Sequence, residues 1–188
     1  MDIEIINKIF PKITNNNLLQ YDEVGLWSIT LPDDADVIST IIYSLIGYST
    51  IFDATAGIGG NTISFSNYFK KVIAIENNIN RFNILKNNIN IIKLNNVKIY
   101  NDNCFNKLNY SCNGYFFDPP WGGPNYKLEK NLRLTLDNIS LYDIIINIRK
   151  TTLKPIFFKL PKNYDLTEFD NFNYRIDNIK KILLVSIL

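Results

Sequence analysis

Thr50-Ile51-Phe52-Asp53-Ala54-Thr55-Ala56-Gly57-Ile58-Gly59-Gly60-Asn61-Thr62 is the stretch that decides the fold. A short apolar run ends in a carboxylate, and Gly57, Gly59 and Gly60 follow before a segment over 61–69 that suits a helix. A strand that turns through such glycines into a helix lets the backbone pass close to a ligand and aims free amide groups at it. The alternation continues outward from there. Residues 72–75, 97–100, 115–117 and 156–158 read as further strands, and 79–93 and 141–149 as helices. Upstream, Leu31-Pro32-Asp33-Asp34 predicts the cap of a helix over 35–46, after a polar, Asn-rich lead. Residues 174–176 and 182–187 predict a closing hairpin. Continuous apolar strands separated by helices specify an α/β fold: a mostly parallel seven-stranded sheet, covered on both faces, with an antiparallel hairpin at its C-terminal end. No repeat or linker breaks the pattern, so residues 1–188 read as one domain.

The 188 residues are 46% hydrophobic and 20% charged, with 20 bases, 18 acids and no histidine. A chain of this length hides roughly 70% of its unfolded surface, so Cys104 and Cys112 read as reduced core thiols rather than a staple. Without histidine, Ser-His-Asp and Cys-His catalysis are excluded, as is the commonest metal ligand, and no metal is expected. Net charge is +2, but it is unevenly spread. Residues 1–36 hold seven acids against Lys8 and Lys12, leaving a basic remainder suited to a phosphate-bearing partner. Over 37–69 the only charge is Asp53, yet Gly47, Gly57, Gly59 and Gly60 interrupt the window, so no membrane span is expected. Asp2 and Glu4 stand where a signal peptide would be basic, which predicts a soluble protein of the cytoplasm or nucleus. The Asn pairs and runs at 15–17, 77–78, 87–88 and 95–96 read as surface positions.

Between Val37 and Phe117 the only carboxylates are Asp53, Glu76 and Asp102, each at or near the C-terminal end of an expected strand; Asp118 continues the series. Ligands of open parallel sheets bind along that edge. Glu76, 23 positions after Asp53, suits a ribose diol, while the Gly-x-Gly-x-x-Gly spacing of dinucleotide sites is not met. An acid ahead of the glycines suits a cationic cofactor, and S-adenosylmethionine has that polarity. The most specific segment is Asp118-Pro119-Pro120-Trp121-Gly122-Gly123-Pro124-Asn125-Tyr126. Two prolines fix a rigid turn and leave carbonyls free to accept. Asp118 and the Pro119 carbonyl can hold the two hydrogens of an exocyclic amine, and Trp121 can stack on the base that carries it.

Asp-Pro-Pro-Trp after such a glycine loop resembles the methyltransferases that act on exocyclic nucleobase amines. Extended through Tyr126, it is similar to the trimethylguanosine synthase family, the RNA cap guanine-N2 methyltransferases. The resemblance also covers 25–30, 53–62, 72–76 and 158–163, most of the chain. Within it, Asp118 occupies a position where close relatives can have Ser, and Asn125 one where Asp is usual. The resemblance implies a class I, Rossmann-like methyltransferase core over 33–188, with the lead 1–32 contributing to the substrate site. It implies that Thr30, Asp53, Ala54, Thr55, Gly57, Gly59, Gly60, Asn61, Thr62, Glu76, Asn77 and Asp102 hold S-adenosylmethionine. Asp118, Pro119, Pro120 and Trp121 are then catalytic, and Trp27, Ser28, Trp121, Pro161 and Asn163 bind substrate. The implied reaction methylates N2 of a 7-methylguanosine cap on RNA, giving di- or trimethylguanosine caps; the domain size is compatible with a monomer. Alternatives are an N6-adenine or other nucleobase-amine methyltransferase, and a cap-binding module without catalysis. Lys127, Lys130, Arg133 and Lys162 are candidates for the cap triphosphate.

Overall fold

A computed structural model describes residues 2–11, 13 and 16–188, so Lys12 and Asn15 lie outside the described residues. The strands are β1 (Thr50–Asp53), β2 (Lys71–Glu76), β3 (Val97–Asn101), β4 (Gly114–Phe117), β5 (Thr135–Leu136), β6 (Ile139–Ser140), β7 (Ile156–Pro161), β8 (Tyr174–Ile179) and β9 (Ile182–Ile187). The helices are α1 (Ile3–Ile9), α2 (Glu23–Ser28), α3 (Pro32–Ile46), α4 (Gly60–Tyr68), α5 (Ile79–Ile92) and α6 (Leu141–Arg149). Seven strands form one sheet in the order β3-β2-β1-β4-β7-β9-β8, and β5 and β6 form a separate hairpin. The pairs β1/β2, β2/β3 and β4/β7 are parallel, while β7/β9 and β8/β9 are antiparallel. The expected α/β architecture with its antiparallel C-terminal hairpin is what the chain adopts.

The chain divides into two compact units, one ending at Asn113 and the other running Gly114–Leu188. In the first, β1 and β2 are apolar and buried because helices flank them, and Phe52, Phe65 and Phe69 are among its fully buried side chains. The lead differs from the polar segment expected. It holds α1 and α2, capped by Asp2, which accepts from the Glu4 amide, and by Asp22, which accepts from the Gly25 amide at 2.6 Å. Ile6 and Ile9, three apart on α1, join Phe10, Leu19 and Ile58 in a buried cluster. Helix α3 starts at Pro32 rather than near residue 35, because a proline at the first helical position forfeits no intrahelical hydrogen bond.

Asn88 overturns the surface reading of its pair. It is fully buried, accepts from the Gln20 amide and donates to the carbonyls of Gln20 and Ile58, tying the lead to the glycine loop. Asn78 caps α5 by accepting from the Asn80 and Arg81 amides. An amide that meets buried backbone groups removes their desolvation penalty, which composition alone does not show.

The second unit is centred on aromatic rings. Phe117, Phe158, Phe169 and Tyr164 stack in succession with centroids 5.5, 5.8 and 5.6 Å apart. Tyr164 donates to Glu168, and burial together with that bond pushes the phenol far above its ordinary range. The β5–β6 hairpin was not anticipated, although its two-residue turn, Asp137-Asn138, adopts the positive φ values (51° and 65°) that such turns require.

Candidate active site

In the first unit the carboxylates stand where the sequence places them. Asp53 and Glu76 are the last residues of β1 and β2, and Asp102 follows β3 by one. Asp53 is completely buried and accepts from the Thr62 hydroxyl at 2.6 Å and the Thr55 amide at 3.3 Å, so it braces both ends of the glycine turn. Glu76 accepts from the amides of Gly57 and Asn78, each at 2.9 Å, and from Arg81 Nε at 3.4 Å. Asp102 accepts from Asn106 and pairs with Lys107 at 3.0 Å; the Asn106 amide first, then Lys107, hold its carboxyl below the ordinary range.

The turn itself needs glycine for two separate reasons. Gly57 and Gly59 take φ of 56° and 111°, a region that side chains disfavour. At Gly60 the limit is space, since a Cβ would stand 2.7 Å from Ile29 Cγ1 and 2.9 Å from the Thr30 carbonyl oxygen. The turn does not offer all the free amides expected of it. The amides of Ala56, Gly57 and Gly59 are spent on Ile75, Glu76 and Ala56, because the tight turn closes its own hydrogen bonds. What it does leave is an acceptor: Asn61 donates to the Thr30 hydroxyl, while its buried Oδ1 has no partner among the described residues. A narrow, side-chain-free turn beside carboxylates and an unmatched acceptor fits a ligand that carries an ammonium and a ribose. Trp27, on α2, is 76% exposed, and Ser28 beside it donates to the Val24 carbonyl; Asn77 is also exposed.

In the second unit, Asp118 follows β4 directly, and Pro119 is buried and Pro120 exposed. The register Phe117↔Phe158, continued by one step, brings Asp118 beside Lys159, and Lys159 Nζ lies 2.7 Å from Asp118 Oδ2. Lys159 is 5% exposed, and its ammonium also stands 5.1 Å from the centroid of the Trp121 ring. Tyr126 meets that ring edge-on at 5.1 Å, and Asn163 donates to the carbonyls of Tyr126 and Glu129, at 2.7 and 2.8 Å, so it pins the loop that carries Trp121. Pro161 ends β7, buried against β9. Trp121 Nε1 is a buried donor with no partner among the described residues.

Lys159 is the candidate site residue that motif reading missed. Its signal was a lone charge in the apolar strand Ile156-Phe157-Phe158-Lys159-Leu160-Pro161. Of the phosphate candidates, Arg133 is committed to Asp165 at 2.9 Å and Glu168 at 3.7 Å.

Residues 48–187 match the family described as RNA cap guanine-N2 methyltransferase. The chain belongs to that family. Among curated relatives, it is 42% identical over 182 residues to an uncharacterized protein of Acanthamoeba polyphaga mimivirus, covering 94% of this chain and 65% of that one. It is 29% identical to the trimethylguanosine synthase of Schizosaccharomyces pombe, covering 87% of this chain and 75% of the yeast protein. A Streptococcus mutans protein assigned as a methyltransferase and solved with SAH shares the fold at 16% identity, TM-score 0.55, over 85% of this chain and 98% of its own. The family match and the shared fold agree on a methyltransferase architecture.

Proposed function

We propose that this chain transfers a methyl group to the exocyclic N2 amine of a 7-methylguanosine cap on RNA. The observation that carries this reading is the Asp118-Pro119-Pro120-Trp121 turn, a charged acceptor and a stacking ring held together by buried Lys159. S-adenosylmethionine supplies an electrophilic methyl carbon when bound. Thr30, Asp53, the 54–62 turn, Glu76, Asn77 and Asp102 hold it in this reading, with Asn61 Oδ1 free to accept from its ammonium. Asp118 Oδ and the Pro119 carbonyl accept the two N2 hydrogens and set the direction of the nitrogen lone pair. Trp121 stacks on the purine, while Trp27, Ser28, Pro161 and Asn163 frame the remainder of the cap.

The N2 lone pair is delocalised into the ring, so the amine reacts only when aligned with the methyl carbon. Such alignment supplies roughly 7 to 11 kcal/mol, which is why no histidine base is needed. Asp118 or water takes the proton released. A 7-methylguanine ring is cationic, and its stacking on indole gains about 1 to 2 kcal/mol over a neutral guanine once water is excluded. Calorimetric titration with 7-methyl-GTP and GTP tests this. The parent chain should bind 7-methyl-GTP more tightly, and Trp121→Ala should lose most of that preference. Equal affinity of the parent for both nucleotides contradicts the assignment.

A further inference from the structure

Charge in the first unit is segregated between the two ends of its strands. From residue 37 to 113 the three carboxylates all lie at the C-terminal ends, and two cations there are spent on them, Arg81 on Glu76 and Lys107 on Asp102. Five cations of that stretch remain: Lys70, Lys71, Lys86, Lys93 and Lys98. None of the five pairs with a carboxylate among the described residues. Four of them gather at the opposite end of the sheet. Lys70 and Lys71 lie where the chain enters β2, Lys93 is the left-handed residue (φ 61°) that ends α5, and Lys98 is the second residue of β3. The parallel register Val72↔Val97 and Ile73↔Lys98 sets these entries side by side. Lys70, Lys71 and Lys98 line one cleft of about 550 Å³ with Thr50, Asn95 and Asn96.

Three ammonium groups around one cleft repel one another, and among the described residues no carboxylate lines the cleft to offset the repulsion. An anion with several spaced charges relieves it. The other lining groups are hydrogen-bonding amides and a hydroxyl, with no apolar side chain to enter a lipid layer. Tyr48, two residues ahead of Thr50, is 67% exposed and offers a flat ring to an unpaired base. A lysine-lined cleft with an exposed aromatic residue two positions along the chain from its lining supplies the two elements that hold single-stranded nucleic acid.

We propose that this cleft is a second RNA contact, taking the phosphates of the single-stranded transcript downstream of the modified 5′ nucleotide. The inference rests on the cap reading above for the identity of the nucleic acid. Strand β2 runs five residue steps from Lys71 to Glu76, about 16 Å, so a few nucleotides bridge the cofactor edge and the cleft. The site gives capped RNA an affinity that a cap nucleotide alone lacks, and one that weakens with salt.

The test is fluorescence anisotropy of an uncapped single-stranded RNA of about 20 nucleotides, titrated with parent and K70E/K98E protein over a range of salt. Two lost phosphate contacts should flatten the slope of log affinity against log salt by about 1.4, at about 0.7 per contact for a single strand. Tyr48→Ala should weaken binding with the slope kept. Methyl transfer to 7-methyl-GTP should proceed at the parent rate in K70E/K98E, which shows that the variant is folded. Unchanged affinity and slope in K70E/K98E, or no binding of the RNA by the parent, overturn the proposal. Because the RNA is uncapped, failure of the cap assignment leaves the binding result readable.

Discussion

Lys159 and Asp118 form a largely buried ion pair near the proposed chemistry. Their side chains are 7% and 15% exposed, so neither charge is well hydrated and each depends on the other. Lys159→Met leaves a carboxylate without its cation and should cost about 3 kcal/mol in denaturant unfolding, as should Asp118→Asn. The double variant should recover more than about 1 kcal/mol relative to the sum of the two losses. Additive losses would show that the pair is not coupled. The motif was legible because proline and tryptophan are rare and rigid, whereas the lone charge of Lys159 acquires its partner only when β7 lies beside β4. Asn88 was hidden for a similar reason. Its partners are backbone groups of residues 20 and 58, and an amide in an Asn-rich chain carries no mark of burial.

Among the elements, the turn from β1 into α4 was the most readable, because φ above zero and close backbone approach both demand glycine. Its fine structure was less so. The amides expected to face a ligand close on Ile75, Glu76 and Ala56, and the lead supplies Ile29 and Thr30 as the wall against Gly60. Gly60→Ala should therefore destabilise the protein by about 1 to 3 kcal/mol and weaken S-adenosylhomocysteine binding, since the added methyl pushes Ile29 and the Thr30 carbonyl away. Calorimetry and thermal unfolding would check this, and an unchanged melting temperature would contradict it. The lead helices escaped notice because each is short: α1 has seven residues and α2 six, and their stability comes from the shared cluster with Ile58 rather than from a long periodic stripe.

Over the whole molecule, the segregation of charge was legible in outline. Scarce acids in the core stretch pointed to one end of the strands, and they lie there; the gathering of unpaired lysines at the other end needed the register of β2 and β3. Acid sensitivity follows from one of these carboxylates, Asp102, and from Asp165 in the second unit. Asp102 is held below its ordinary range by Asn106 and then Lys107, and Asp165 by Thr167 and then Arg133. A carboxyl with a depressed folded-state pKa stabilises the fold above its unfolded pKa, near 3.9, and loses that contribution as pH falls through the folded value. Thermal unfolding should hold steady from neutrality to about pH 5 and decline below about pH 4. With no histidine in the chain, a midpoint that drops sharply near pH 6 would contradict this.

Transfer of labelled methyl from S-adenosylmethionine to 7-methyl-GTP, GTP and adenine-containing RNA, with the product nucleoside identified by mass spectrometry, tests the cap assignment itself. Label in 7-methyl-GTP, located on N2 and abolished by Asp118→Ala, is the predicted result. Label found only in adenine, or none in 7-methyl-GTP, would contradict the cap assignment.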